Sequence, residues 1–155
     1  MENKDKRIGR MRYFMEMASL SAQRGTCLRN KVGCVLVFDN RIKSVGYNSS
    51  HKGTLHCEEV GGPDNCIHND HCIRTLHAEE AAVLNLEKRF EKDLSAYITH
   101  EPCLRCHKIL AAAGVIQIYY LYDYGDFSDL EKEIKESLNC SSWKISDITD
   151  LYGDI

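Results

Sequence analysis

His77-Ala78-Glu79 and Pro102-Cys103-Leu104-Arg105-Cys106 are the two stretches that decide the fold and the chemistry of this chain. Together they supply one imidazole, two thiols and a carboxylate. Three nitrogen and sulfur ligands leave the fourth position of a tetrahedral zinc ion open, which is the arrangement of a catalytic zinc site. We therefore expect a catalytic zinc on His77, Cys103 and Cys106.

The predicted local structure suits these roles. Helices are predicted from Thr75 to Phe90 and from Cys103 to Ala113, and residues i and i+3 of a helix share a face, so both sulfurs can reach one ion. The positive end of a helix favours thiolate over thiol, and Pro102 suits the first turn because its missing N–H would be unpaired there. Glu79, two residues after His77, is expected to be the catalytic acid and base. A structural zinc with another, unidentified ligand is the alternative.

The composition is that of an ordinary globular protein of one domain. The chain has 155 residues, of which 43% are hydrophobic and 28% are charged. Its formal net charge of -3 disfavours a surface for long nucleic acids, although a small phosphorylated substrate needs only a few cations. The first seven residues are polar, and no apolar run approaches the length of a membrane span. We therefore expect a cytoplasmic protein without membrane contact.

Eight cysteines in a chain of this length need an explanation. A disulfide framework is one possibility, but the sequence carries no visible export signal, and disulfides are rare in the reducing cytoplasm. Several of the cysteines are interleaved with histidines, which favours metal binding over disulfides.

Hydrophobic periodicity predicts an α/β domain with helices that cover a mixed sheet. The predicted elements are a helix over 7–23, strands over 32–38 and 42–47, a helix over 75–90, a strand over 95–99, a helix over 103–113, a strand over 115–122, a helix from 128 and a strand near 143–148. Asp39-Asn40 is expected to be a hairpin turn, and Ser128-Asp129-Leu130-Glu131 a capping box. Residues 49–74 lack periodicity and are long for a structureless loop, so we expect something to fix them.

The motif His-x-Glu with Pro-Cys-x-x-Cys is the known signature of zinc-dependent nucleobase deaminases. Within that superfamily the chain resembles the deoxycytidylate (dCMP) deaminases from about residue 8 to 125. The matching segments are Arg24–Gly33, Asp39–Ile42, Gly46–Asn48, His56–Gly61, Cys72–Glu79 and Thr99–Cys103. The resemblance implies a three-layer αβα fold with a central mixed five-stranded sheet, and one deaminase domain over residues 1–155. The implied reaction is hydrolytic deamination of a 2′-deoxycytidine nucleotide, most simply dCMP to dUMP.

The resemblance also implies substrate contacts. Asn48 is expected to contact the sugar, the backbone around Ala78 to meet the pyrimidine edge, and Tyr124 to line the pocket, with plain packing as the alternative for Tyr124. Two positions depart from the family: Ala81 stands where an asparagine is usual, and Gly46–Gly53 differs from the usual Gly-Tyr-Asn-Gly-x-Pro-x-Gly loop. Both lie where the family handles the nucleotide, so dCTP is the alternative substrate to dCMP.

Two further expectations concern phosphate binding and assembly. Candidates for phosphate binding are Arg24, Arg29, Lys31 and Lys52, and a solvated surface charge is the alternative for each. The resemblance further implies a homo-oligomer, expected to be a hexamer, and dCTP and dTTP as allosteric effectors.

A second, structural zinc in the 49–74 insertion is also implied. Its candidate ligands are Cys27, Cys57, Cys66 and Cys72, with His68 or His71 as substitutes. Gly62 stands where the family has its fourth ligand, which is why Cys66 or His68 is assigned that role. A closed zinc site would order a loop that lacks an apolar core, and free thiols are the alternative. Elsewhere, Cys34 is expected in the core, His100 and His107 in packing or at the surface, and Cys140 has no assigned role.

Two other functions stay open at this point. One is another deaminase of the superfamily, acting on guanine, a riboflavin precursor or adenosine in transfer RNA. The other is a non-catalytic zinc module that serves interaction. Glu79 favours an enzyme, because an interaction module has no use for an acid beside an open metal position.

Overall fold

The elements of the fold are taken from a computed structural model that describes residues 7–87 and 93–145. In chain order they are α1 Arg10–Ala22, β1 Gly33–Phe38, β2 Arg41–Tyr47, β3 Ser49–Ser50, a 3₁₀ turn at Pro63–Asn65, β4 Ile67–His68, β5 His71–Cys72, β6 Thr75–Leu76, α2 Ala78–Leu84, β7 Leu94–His100, α3 Leu104–Ala112, β8 Val115–Tyr122, α4 Asp129–Ser137 and β9 Ser141–Lys144. Within the described ranges, no helix combines the length and the hydrophobicity needed to cross a membrane.

The central sheet has five strands in the order β2-β1-β7-β8-β9. Strand β1 is antiparallel to β2 and β7, whereas β8 is parallel to β7 and β9. The sheet is therefore mixed, as predicted. The carboxyl ends of β7 and β8 lie side by side, with His100 opposite Tyr122. Residues that follow these two strands consequently meet at one end of the sheet.

Helices cover both faces of this sheet. On β1, Cys34 and Leu36 pack in one apolar cluster with residues of α2 and α3, while Val35 and Val37 pack in a second cluster with α1. A central strand buried on both sides is expected to be apolar throughout, as β1 is. The predicted three-layer αβα fold is thus confirmed.

Two short-range predictions are confirmed in detail. Asp39 and Asn40 have positive φ angles of 49° and 57°, as a type I′ hairpin turn requires. At the start of α4, the Ser128 Oγ accepts from the Glu131 N–H at 3.3 Å, and Glu131 Oε2 accepts from the Ser128 N–H at 2.8 Å. This is the capping box read from the sequence.

The helix predicted from Thr75 to Phe90 was wrong in its bounds. In the structure Thr75 and Leu76 are extended and pair antiparallel with Ser50 and Ser49, and α2 runs only from Ala78 to Leu84. The remainder of that prediction, residues 88–90, lies outside the described residues. The last strand begins earlier than predicted, at Ser141, and residues 146–148 are likewise outside the described part. Residues 49–74 are not structureless, because β3 and the β4–β5 hairpin lie within them.

Candidate metal centre and active-site cavity

The three predicted catalytic-zinc ligands come together at the starts of α2 and α3. His77 directly precedes α2, Cys103 directly precedes α3, and Cys106 lies in its first turn. His77 Nδ1 is 3.3 Å from Cys106 Sγ and 3.8 Å from Cys103 Sγ. A tetrahedral zinc with Zn–N of ~2.0 Å and Zn–S of ~2.3 Å places the nitrogen and each sulfur about 3.5 Å apart. The donor set therefore fits zinc in both chemistry and spacing.

This group is distinct among the described residues. Its donor atoms all lie within 4.8 Å of one another, and no other group of three His, Cys, Asp or Glu donors in residues 7–87 and 93–145 is as compact. A hydrogen bond with Cys103 raises the pKa of His77 to about 9. The contact between the two sulfurs lowers the pKa of Cys103 to about 4 and raises that of Cys106. The lowered pKa of Cys103 favours its thiolate, the form that ligates metals.

Glu79 lies beside this group and is almost completely buried, at 4% exposure. Burial raises the pKa of Glu79 to about 7, against the lowering effect of backbone hydrogen bonding and of the His77 charge. A hydrogen bond from Cys106 also reaches this carboxyl group. A carboxyl group with a pKa near neutrality can both accept and return a proton at physiological pH.

A cavity of about 440 Å³ opens above the donor group, at the carboxyl ends of β7 and β8. This volume lies within the ~300–1,000 Å³ range of small-molecule sites. The three residues predicted to contact substrate, Asn48, Ala78 and Tyr124, all line it. Tyr124 remains 46% exposed, and its ring stacks on Phe127 with 5.5 Å between centroids.

Asn48 already has partners for both ends of its amide. Its Oδ1 accepts from the Val32 N–H at 2.8 Å, and its Nδ2 donates to the Asn30 carbonyl at 2.7 Å. Asn48 therefore fixes the loop before β1. An amide has two donor hydrogens and two acceptor lone pairs, so one of each is left for a ligand in the cavity.

The four cations predicted as phosphate contacts lie in different environments in the structure. Arg29 lines the cavity, and its Nη1 donates to the Asp70 carbonyl at 3.0 Å. Arg24 instead lies over the Tyr47 ring, 6.0 Å from its centroid. Lys31 and Lys52 are exposed and are not among the described lining residues. Arg29 is the one lysine or arginine in that described lining.

Several cavity residues were not predicted. His100 was expected in packing or at the surface, but it lines the cavity, as do Glu101, Asp123 and Asp126. His100 Nδ1 lies 2.9 Å from Thr99 Oγ1, and Thr99 Oγ1 also accepts from the Gly33 N–H at 3.1 Å. Their position in the sequence could have indicated this role, because these residues lie at or after the ends of two parallel strands. Ligands bind at such strand ends in open α/β sheets.

The cysteines proposed for a second zinc approach one another in pairs, but no three of their sulfur atoms lie as close together as the donor atoms of His77, Cys103 and Cys106. Cys27, Cys57 and Cys66 are buried, at 5%, 1% and 2% exposure. A backbone hydrogen bond from Leu28 lowers the pKa of Cys57, but burial and the adjacent Cys66 and Cys27 thiols outweigh it and raise the pKa. Burial raises the pKa of Cys72, yet hydrogen bonds that include one from Cys27 leave it lowered overall. His68 and His71 pair across the β4–β5 hairpin and are both exposed.

The remaining cysteines and His107 are buried. Cys34 is fully buried in the core, as expected, and Cys140 packs in the same cluster. His107 is only 1% exposed, so of the two expectations, packing is the one met. Its Nε2 lies 3.2 Å from the Cys140 carbonyl oxygen, a contact across 33 residues that sequence periodicity does not predict. Each of the eight cysteines, all within the described ranges, is unbridged.

The fold and the site define a member of a known enzyme family. Residues 9–122 match the model of the cytidine and deoxycytidylate deaminase zinc-binding region. This chain belongs to that family.

The chain is also similar to individual proteins of this family. ComE operon protein 2 of Bacillus subtilis is 41% identical over 121 residues, which are 76% of this chain and 62% of that protein. Deoxycytidylate deaminase of Mycobacterium phage D29 is 32% identical over 117 residues, 70% of this chain and 91% of the relative. The crystal structure of dCMP deaminase from cyanophage S-TIM5 in complex with dCMP and dUMP matches with a TM-score of 0.69 at 28% identity, covering 86% and 94% of the two chains. The chain spans less than two thirds of the length of some relatives, 62% in B. subtilis and 37% for the deoxycytidylate deaminase of Schizosaccharomyces pombe.

Proposed function

We propose that this protein catalyses the hydrolytic deamination of a 2′-deoxycytidine nucleotide, most simply dCMP to dUMP and ammonia. The observation that carries the proposal is the buried Glu79 carboxyl group beside a His-Cys-Cys donor set in a cavity of ligand size. A structural zinc site would have no open side and no need of a buried acid. The relatives named for dCMP deamination support the choice of substrate.

The residues divide the chemistry between them. His77, Cys103 and Cys106 would hold zinc, which when bound supplies a Lewis acid that lowers the pKa of water from ~15.7 to ~7. Glu79 takes one proton from the attacking water and delivers it to the pyrimidine ring nitrogen. It then takes the remaining hydroxyl proton of the adduct and passes it to the departing amine. The amino group leaves as ammonia and the ring carbon becomes a carbonyl.

Binding residues orient the nucleotide for this reaction. The backbone at Ala78 faces the pyrimidine edge, the spare donor and acceptor of Asn48 serve the sugar, and Tyr124 packs against the base. We assign the phosphate to Arg29, because it is the arginine or lysine in the described lining. A charge-assisted hydrogen bond is worth ~1.5–3 kcal/mol.

The second zinc is a separate part of the proposal. Three of its candidate cysteines are buried and each of the four has another as an electrostatic or hydrogen-bonding neighbour. A loop of polar and glycine residues gains order from such an ion. Metal analysis is expected to give two zinc ions per chain, and Cys57→Ser is expected to lose one of them. One ion per wild-type chain would remove this part of the proposal and leave the catalytic site untouched.

Assembly, regulation and location rest on the resemblance to the family. We extend the proposal to one deaminase domain over residues 1–155, a homo-oligomer that is a hexamer, dCTP and dTTP as effectors, a role in nucleotide biosynthesis, and a cytoplasmic location. Unbridged cysteines agree with that compartment. Light scattering of the purified protein tests the assembly, and an active monomer would contradict it.

An ammonia-release assay with deoxycytidine, dCMP and dCTP tests the central proposal. We expect dCMP to have the highest kcat/KM and Glu79→Gln to lose ~10⁴-fold in kcat while keeping its zinc, because general acid–base catalysis is worth ~10²–10⁴-fold and Glu79 is used twice. Arg29→Ala should reduce kcat/KM for dCMP by about tenfold or more and leave deoxycytidine unaffected. Lys52→Ala, which removes a cation outside the cavity, is its control. An active Glu79→Gln enzyme would refute the mechanism, and a higher kcat/KM for deoxycytidine than for its phosphates would refute the nucleotide assignment.

A further inference from the structure

Glu80 is buried like its neighbour Glu79, but it contacts different groups. It is only 8% exposed, and its two carboxylate oxygens have different partners. Oε2 accepts from the His77 backbone N–H at 2.9 Å. Oε1 forms an ion pair with Arg105 Nη2 at 2.6 Å. A single carboxylate therefore contacts both segments that carry the candidate metal ligands.

The position of Arg105 gives this contact its significance. Arg105 lies between Cys103 and Cys106, so the ion pair with Glu80 connects the sulfur-bearing turn of α3 to the first turn of α2, which follows His77. His77 and Cys103 are 26 residues apart in sequence. Their spacing therefore depends on how α2 and α3 are held together. Glu80 and Arg105 hold them at the metal-binding end.

We propose that Glu80 and Arg105 are positioning residues that keep the imidazole and the two sulfurs at zinc-binding distance and so slow the loss of the metal. The inference rests on the proposed function only in that His77, Cys103 and Cys106 bind zinc. Neither residue is among the described residues that line the cavity. Outer partners that orient metal ligands are typically worth ~10–100-fold in metal affinity.

The two residues are not expected to contribute equally. The Arg105 side chain is 74% exposed, so solvent screens its charge and the ion pair alone is worth little. Glu80 is buried and also fixes the His77 backbone. Removing Glu80 should therefore have the larger effect. Glu80→Gln keeps an acceptor for the His77 N–H but loses the ion pair, so it separates the two contacts.

The test is the rate of zinc release to a chelator from the zinc-loaded protein. We expect release to be ~10–100-fold faster in Glu80→Ala, on the scale known for such partners, and only several-fold faster in Glu80→Gln and Arg105→Ala. Arg105→Lys should recover part of the loss. Lys108→Ala, which removes an exposed cation from the same helix, should release zinc at the wild-type rate. The double variant Glu80→Gln/Arg105→Ala should be no faster than its faster parent.

Several outcomes would overturn the inference. Wild-type release in Glu80→Ala, or equal effects of Lys108→Ala and Arg105→Ala, would show that the pair does not hold the metal. If Glu80→Ala does not fold, the comparison of Glu80→Gln, Arg105→Ala and Arg105→Lys decides the question. Urea unfolding of each variant distinguishes a metal-specific effect from general loss of stability. A wild-type protein that binds zinc but does not deaminate would refute the proposed function and leave this inference standing.

Discussion

Lys135 Nζ contacts Glu101 Oε1 at 2.7 Å, and the two side chains are only 13% and 12% exposed. This ion pair joins α4 to the residue that leads into Pro102 and Cys103. The same ammonium lies 3.8 Å from the centroid of the Phe127 ring, and Phe127 stacks on Tyr124. Helix α4 is thus tied both to the metal-ligand segment and to the aromatic residue of the cavity.

Loss of this ion pair should affect both stability and substrate binding. Breaking a fully buried pair costs ~3–5 kcal/mol because one charge is left without a partner. With some solvent access, Lys135→Ala should lower the free energy of unfolding by about 2–3 kcal/mol in urea titrations and raise KM. Lys132→Ala is the matched control, because Lys132 pairs with Asp129 at 3.9 Å on the exposed side of the same helix. Its cost should stay below ~0.5 kcal/mol, and equal losses in the two variants would contradict the prediction.

The buried carboxyl group of Glu79 should make the metal-free protein less stable as the pH rises. Burial raises its pKa from 4.5 to about 7 in the folded state. A carboxyl group with a raised folded-state pKa costs nothing below its unfolded-state value, and its cost grows as the pH rises to the folded-state value. That shift corresponds to a free energy on the order of 3 kcal/mol.

The measurement is a comparison of wild-type and Glu79→Gln proteins, both metal-free and reduced, by urea unfolding between pH 4 and pH 8. The variant carries no titrating proton at this position. Its stability relative to the wild type should therefore increase between about pH 4.5 and pH 7 and then level off. A difference that does not change with pH would contradict the burial of this charge.

The sequence predicted those parts of the fold that depend on neighbours along the chain. The Asp39-Asn40 turn and the capping box at Ser128 are fixed by two to four residues each, and both are confirmed. The spacing of His77, Cys103 and Cys106 predicted their meeting, because the helix-strand-helix between them returns the chain to the same end of the sheet.

The parts that were missed depend on contacts between distant residues. Thr75 and Leu76 suit a helix locally, but pairing with Ser49 and Ser50 holds them extended. Which cation reaches the cavity also depended on how the 24–31 loop folds, since periodicity says nothing about an irregular segment. The ion pair between Glu80 and Arg105 is of the same kind.

Tyr124 should contribute to substrate binding through its ring. Stacking of a base on an aromatic side chain is worth ~1–3 kcal/mol, so Tyr124→Ala should raise KM by about tenfold with a smaller change in kcat. Tyr124→Phe keeps the ring and should remain close to wild type. Tyr13→Ala is the control, because it removes a tyrosine of similar exposure, 44% against 46%. Tyr13 belongs to α1, which packs on the face of the sheet opposite α2 and α3. Steady-state kinetics with dCMP check this, and an unchanged KM in Tyr124→Ala would leave packing as the role of the ring.

Gly46 permits the close approach of α2 to the sheet, and this approach positions the site. A Cβ atom at Gly46 would lie 2.2 Å from the Ala78 carbonyl oxygen and 2.4 Å from the Ala82 nitrogen, both in the backbone of α2. Gly33 is a matched case on the other face, where a Cβ atom would lie 2.0 Å from the Ala18 carbonyl oxygen of α1. Contacts this short with backbone atoms cannot be relieved by a side-chain rotation, so each helix must shift.

Both Gly46→Ala and Gly33→Ala should therefore lower the free energy of unfolding, by about 1–3 kcal/mol, the usual cost of overpacking. Their effects on the site should differ, because only α2 carries Glu79 and follows His77. Gly46→Ala should release zinc faster and lose activity per folded molecule, whereas Gly33→Ala should keep both properties at temperatures where it is folded. Chelator-driven zinc release and kcat, each corrected for the folded fraction, provide the comparison. Equal losses of zinc in the two variants would mean that the ligand geometry does not depend on the distance between α2 and β2.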